Sequence, residues 1–433
     1  QIQEVLHTEL PEALRREYHG AIGGALARRL ETRGPSVGGA HAVELCRQLL
    51  LGDRGADALA FLDTALDYLD AQYANAAAID LSGRALAAPG LLAGARRAGV
   101  LLRRALWLGM SGMAVEARPV LDEAVAEADA AGDPALKARA RTARARDLRR
   151  VGRPEEARAD LEEAIRLAHE AGDLHEEGMA EGTIGSVLLH LGRYEEAEAR
   201  FHRHVALARE TGDRVGEARA LGALGSLESR RGNREKALGY DLRYLAICKE
   251  IDNRRLEATA TGNVGVILFD LGRYDEARDH YERHLALAHE VGDREGEARA
   301  TGNLGALAQT LGRHEEALAY AGRYLARCRE IGYRRGEGIA RINHGQCFVA
   351  LGNPAGARPH FEEALRIGRD LDQPDLQGSA IEGLGDVSAR EGDLAGARAR
   401  YADALAIWRR IGSHVDEART LASLEALPPG PEA

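Results

Sequence analysis

Through the middle of the chain the larger apolar residues recur at helical spacing in short blocks, and each block ends at a glycine. GEARATGNLGALAQTL, ending at Leu311, is one such block, and Gly312 closes it. The text around it is written twice, residues 251–290 reading IDNRRLEATATGNVGVILFDLGRYDEARDHYERHLALAHE and residues 291–330 VGDREGEARATGNLGALAQTLGRHEEALAYAGRYLARCRE. The motifs TGNxG, LGR and RxLA therefore return after 40 positions. At that frame glycines stand between helices at Gly152, Gly192, Gly232, Gly272, Gly312, Gly352 and Gly392. A second column closes the repeats at Gly132, Gly172, Gly212, Gly292, Gly332 and Gly412, with Asp252 and Asp372 as exceptions.

Each repeat reads as two helices. Gly292 suits a left-handed helix stop, Asp293 an N-cap, and Glu315 and Glu316 the positive end of the next helix dipole. Two short helices cannot bury both apolar faces alone, so the repeats must stack. The pattern predicts an all-α solenoid of antiparallel helix hairpins.

Around the clean register, residues 1–90 read as a helical N-terminal region, with an amphipathic stretch at 10–31, a loop at 31–39, a helix pair at 41–72 and a helix at 73–86 before the break at 88–90. Residues 91–130 fit the frame weakly; Trp107 and what reads as an out-of-column turn mark a degenerate hairpin. Seven repeats follow over 131–410, then a capping helix at 411–425 and a tail at 426–433. The chain opens at Gln1 in what reads as mid-helix text, the mark of a piece of a longer protein.

LGRYEEAEARF (191–201), LGRYDEARDHY (271–281) and NLG (303–305) carry a resemblance: a turn glycine, then Tyr-x-Glu-Ala and an aromatic. Residues 131–425 resemble the tetratricopeptide repeat, whose usual period is 34. The 40-residue spacing with a Gly-Asp joint is similar to Pins-type adaptors and to the repeat arrays of bacterial regulators. Residues 1–130 resemble, less specifically, the helical stretch that joins the ATPase lobe to the repeats in STAND-type signalling ATPases and transcriptional regulators. The resemblance implies a right-handed superhelix and binding of an extended or helical peptide in a concave groove lined by the first helices. The lysine and asparagine clamp of chaperone-binding members is missing: its columns hold Gly182, Gly222, Gly262, Gly302 and Ser186, Ser226, Val266, Ala306.

Composition narrows the partner. Formal net charge is −10, and Lys137, Lys236 and Lys249 are the only lysines, which disfavours nucleic acid or an anionic membrane. Four cysteines without disulfide spacing, no 18-residue apolar run and no signal peptide suit a cytoplasmic bacterial protein. The expected partner is a protein or linear peptide, acidic in character; self-association is left open at an edge containing Leu405 and Trp408, which the terminal helix would alternatively cover.

Comparison of the repeats sharpens this. Gly182, Gly222, Gly262 and Gly302 in first helices accompany His204, Tyr244, His284 and Tyr324 in second helices. Flanking repeats pair Thr142, Ile342 and Glu382 with alanines, so volume lost on one helix is filled from the other, or the rings form a recognition ladder. Arg139, Arg146, Arg149, Arg219 and Arg299 fall in groove-facing columns, with Asn263, Asn303, Asn343, Gln309 and Gln346 in or beside them. Guanidinium forks suit carboxylates and amides suit peptide backbone; the plain alternative is a solvated surface. Leu189 and Phe269 alternate with polar residues at period 80, as pockets or as core.

Catalytic signatures are missing from this text. There is no GxxxxGK[ST], GxGxxG after a strand, GxSxG or HExxH, and His280 with His284 has no evident third metal ligand. No enzyme activity, cofactor or metal is expected.

Overall fold

The computed structural model describes residues 10–31 and 38–428, so the loop read at 31–39 and the tail at 426–433 lie largely outside the described residues. Among these are 21 helices and no strand. The chain divides into two segments, Gln1–Ala223 and Leu224–Ala433. The first contains Glu12–Glu31, Gly39–Leu51, Gly55–Ala71, Asn75–Ala87, Gly94–Met110, Ala114–Ala131, Pro134–Arg150, Pro154–Ala171, Leu174–His190 and Tyr194–Glu210. Helix Arg214–Arg230 runs into the second, which continues with Arg234–Glu250, Arg254–Asp270, Tyr274–Glu290, Arg294–Thr310, His314–Glu330, Arg334–Ala350, Pro354–Asp370, Pro374–Glu391, Leu394–Ile411 and His414–Glu425. Within each segment every hairpin packs on the next, which is the all-α solenoid of antiparallel hairpins that the 40-residue pattern predicts.

The turn columns work through backbone handedness. Gly232 has φ 82° and Gly312 φ 71°, a region open to glycine at no steric cost. Asp252 and Asp372 adopt it too, at φ 51° and 48°, where a Cβ is strained. Gly112 stands in the same column at φ 77°, so the out-of-column turn read in residues 91–130 is corrected: that backbone turns like the others. The first helices open on side-chain caps, with Asp293 Oδ1 accepting from the Gly296 amide at 2.9 Å and Asp173 Oδ1 from the Glu176 amide at 3.0 Å.

Inside several hairpins a glycine of the first helix receives a ring from the second. A Cβ on Gly185 would lie 2.6 Å from the Phe201 ring, one on Gly182 2.4 Å from His204, and one on Gly262 2.6 Å from His284. His204, Tyr244, His284 and Tyr324 are all buried. The glycine-for-ring exchange is therefore packing, although His204 also borders the recess described below.

A feature that the sequence reading passed over locks the joints between hairpins. Glu177, Glu217, Glu297 and Glu337, one per repeat near the start of the first helix, are buried carboxylates. Each is reached from eight residues upstream, across the joint: His169 Nδ1 to Glu177 at 3.1 Å, Arg209 to Glu217 at 2.8 Å, His289 Nδ1 to Glu297 at 2.8 Å and Arg329 to Glu337 at 3.1 Å. Arg203, Arg214, Arg327 and Arg341 add further bonds to the same four acids. Burial alone would raise the Glu337 carboxyl, but Arg329, Arg334 and Arg341 hold it below the usual range. The same offset recurs between Arg409 and Glu417 at 2.7 Å.

At the far end, Leu405 and Trp408 do not form an exposed edge. Trp408 is 1% exposed and its indole Nε1 donates to Thr420 Oγ1, 3.1 Å away on the terminal helix. The capping alternative holds, and self-association loses the surface assigned to it.

Candidate peptide-binding groove

Successive first helices approach one another, Gly94–Met110 against Pro134–Arg150 and Pro134–Arg150 against Leu174–His190 in the first segment. The same holds in the second segment from Arg254–Asp270 through Pro374–Glu391, whereas successive second helices make no comparable approach among the described residues. The side on which neighbours close up is the inner wall of a curved stack. Residues three, four and seven apart on these helices share that wall.

In the first segment the wall carries a recess of about 260 Å³ lined by Arg146, Arg149, Met179, Gly182, Thr183, Ser186, His204, Arg219 and Ala223. Three guanidinium groups thus converge from two helices. None of the three forms an ion pair among the described residues, whereas Arg203, Arg209 and Arg341 are held by buried glutamates. Lost hydration pulls Arg146 below the ordinary arginine range, the charges of Arg219 and Arg149 pull the same way, and Glu176 opposes them. Arg146 still meets water on its open side, as a side chain on a recess floor should. Burial pushes His204 down to about 4, so its ring is neutral near pH 7 and adds no further positive charge beside the arginines. The Ser186 and Thr183 hydroxyls donate to the Gly182 and Met179 carbonyls at 2.9 and 2.7 Å. The free donors of the recess are therefore its guanidinium groups, and a negative group is what they can hold.

The remaining sequence candidates are placed as follows. Arg139 is outside the recess; it is exposed and its Nε lies 3.9 Å from Glu176, a buried acid that burial raises above the usual range. Leu189 is half-buried on the same helix as Ser186. In the second segment the Asn263 amide turns inward to Asp241 at 3.4 Å, and Gln309 Nε2 bridges to Gln346 Oε1 at 3.4 Å. Phe269 is half-buried and packs on Tyr274, ring centres 5.6 Å apart. Asn303 and Asn343 are half-buried and Arg299 is exposed. Asn263 is thus engaged by the fold, Gln309 and Gln346 by each other, and the arginines of the first segment are the ones brought together.

A second recess, of about 450 Å³, was not read from the sequence. Leu102, Leu106, Met110, Leu121 and Ala143 line it, with Arg146 and Arg149 on its border. Its signal was faint: Leu106 is the largest apolar side chain in a column that otherwise holds Arg146, Ser186, Ser226, Val266, Ala306, Gln346 and Asp386. Among the described residues no group of three or more His, Cys, Asp or Glu is arranged to hold a metal ion, and no helix is long and apolar enough to cross a membrane. The four cysteines are free and buried.

Tetratricopeptide-repeat family models match residues 138–171, 176–250 and 256–330. No curated protein matches the sequence. Among solved structures the chain is similar to a Signal Transduction ATPase with Numerous Domains (STAND) protein with a tetratricopeptide repeat sensor from Pyrococcus horikoshii, at 16% identity and TM-score 0.62. That match covers 98% of this chain but only 66% of the other, just under two-thirds of its length. A Rap protein complexed with Competence and Sporulation Factor is similar at 13% identity, TM-score 0.53, over 90% of this chain and 97% of that one. RapI in its apo form is similar at 16% identity, TM-score 0.53, over 63% and 97%. At such identities the likeness is one of fold. Residues 138–330 are tetratricopeptide repeats, and the protein they belong to is an all-α solenoid of that kind.

Proposed function

We propose that this protein is a peptide-binding scaffold that holds an acidic linear segment against its first helices. The observation that carries the reading is the convergence of Arg146, Arg149 and Arg219 on one recess without an ion-pair partner among the described residues, in a chain where many arginines are already paired. Like charges this close raise one another's energy, and an incoming carboxylate relieves it. Arg299, Asn303 and Asn343 extend the same kind of surface in the second segment, where amides suit a peptide backbone. That one similar structure holds Competence and Sporulation Factor agrees with a repeat fold used for this purpose.

The test is capture with the full chain, followed by isothermal titration of the captured partner's acidic segment as a synthetic peptide. Affinity near micromolar, ~−8 kcal/mol, is expected, with a loss of at least tenfold in Arg146→Glu/Arg219→Glu and a steep dependence on salt. Binding indifferent to both would refute it.

A second reading has its own observation. The STAND match covers 98% of this chain and 66% of the other, so in fold this chain corresponds to part of that protein, which supports a reading of the repeats as a sensor arm. The genomic sequence upstream of Gln1 tests it: a nucleotide-binding lobe whose ATPase rate changes on deletion of the repeats supports the arm, and its absence supports the free scaffold.

A further inference from the structure

The arginine recess has an apolar neighbour, and the two share a wall. Leu106 is 58% exposed and Met110 52%, on the last turns of helix Gly94–Met110, and with Leu102 and Leu121 they form the recess of about 450 Å³. Arg146 and Arg149 border both this cavity and the smaller one of about 260 Å³ beyond them. Large apolar side chains left this open in a concavity contribute free energy only when something apolar covers them, roughly 25 cal/mol for each Å² removed from water. Arg146 and Arg149 in turn form no ion pair among the described residues. Neither half alone defines a ligand, but the shared border does.

We propose that the two recesses form one bipartite site for an extended peptide in which a bulky apolar side chain, Leu, Met or Phe, lies within two residues of Asp or Glu. The inference rests on the acidic-peptide reading above and adds the apolar anchor and its spacing. An extended chain advances 3.3–3.6 Å per residue, and recesses with common walls are reached from adjoining positions of one strand. The apolar group fills the cavity between the 91–130 and 131–170 repeats. The carboxylate then meets Arg146, Arg149 and Arg219, with neutral His204 and the already bonded hydroxyls of Thr183 and Ser186 adding no repulsion. Asp147, the acid on the border of the apolar recess, is occupied by Arg118 at 3.2 Å and Arg150 at 2.6 Å.

The experiment is selection of random seven-residue peptides displayed on phage against the full chain, with an unrelated helical protein as background. The expected result is enrichment of sequences that place Leu, Met or Phe within two residues of Asp or Glu. Leu106→Asp, tolerated because the side chain is half outside, should abolish the apolar preference while leaving acidic enrichment. Arg146→Glu/Arg219→Glu should abolish the acidic preference, and circular dichroism verifies that both variants are folded. Acidic enrichment with no apolar neighbour, or apolar preference that survives Leu106→Asp, overturns the bipartite site and leaves the acidic groove standing. No enrichment of acidic sequences at all overturns both.

Discussion

Asp241 offers the sharpest test of how this array is packed. Phe201, Tyr281, Phe361 and Tyr401 occupy its column, each with its ring on a glycine of the preceding helix. Asp241 instead sets a carboxylate there: it is 2% exposed, and a Cβ on Gly225 would lie 2.7 Å from its Oδ2. Burial pushes the acid up to about 7 from an ordinary 3.8, and the Asn263 amide at 3.4 Å only partly opposes this. Because the folded chain holds this proton more tightly than the unfolded one, its stabilising contribution is complete at low pH and is lost as pH rises through about 7. Raising the acid from 3.8 to about 7 corresponds to at most about 4 kcal/mol. Asp241→Asn keeps the shape and cannot ionise. Urea unfolding followed by far-ultraviolet circular dichroism, on both chains at about pH 5 and about pH 8, should show the Asn variant ahead by only about 1–2 kcal/mol at the lower pH, where the unfolded carboxyl is already ionised. Above neutrality its lead should widen to roughly 3–4 kcal/mol. Histidines common to both chains cancel in the difference. A gap that does not change with pH would refute the reasoning, since it would place the ionised carboxylate in contact with water.

Other perturbations follow from the packing. Gly262→Ile should cost about 1–3 kcal/mol by driving its side chain into His284, and adding His284→Ala should recover most of it, because Ile342 with Ala364 is the same pair two repeats on; thermal melts of single and double variants decide. Glu297→Gln leaves the Arg327 and His289 contacts without a charge partner, and a loss of about 1–3 kcal/mol, with faster amide exchange around residues 289–297, is expected. Asp372→Gly relieves a left-handed φ of 48° and should raise the urea midpoint by about 0.5–1 kcal/mol of stability. Phe269→Ser, at a half-buried ring packed at a tilt against Tyr274, should cost about 1–2 kcal/mol; an unchanged melting curve would assign Phe269 to ligand contact instead of core.

The sequence made the hairpins legible because the turn glycines recur without insertion, and a left-handed stop at fixed phase leaves the chain little choice but two helices per repeat. Compensating volumes were legible for the same reason, as Gly182 with His204 and Thr142 with Ala164 vary together down the columns. The groove was legible only as columns. That Arg146, Arg149 and Arg219 share a recess while Arg139 turns to Glu176 depends on which carboxylates each long side chain can reach, and no periodicity encodes it. The Glu177, Glu217, Glu297 and Glu337 column carried its period openly, but its meaning lay in pairing across the joint, eight residues away. Leu106 and Met110 escaped notice because their repeat was set aside as degenerate.

Those carboxylate pairs have an evolutionary corollary. Since Arg209 with Glu217, His289 with Glu297 and Arg329 with Glu337 are each encoded within one short stretch, a gene can gain or lose 40 codons in phase and still specify every fastener in full. Crossovers at other phases would sever a fastener from its counterpart. Selection can therefore lengthen or shorten such an array wholesale, and a designer grafting modules should cut before the basic residue rather than at the glycine.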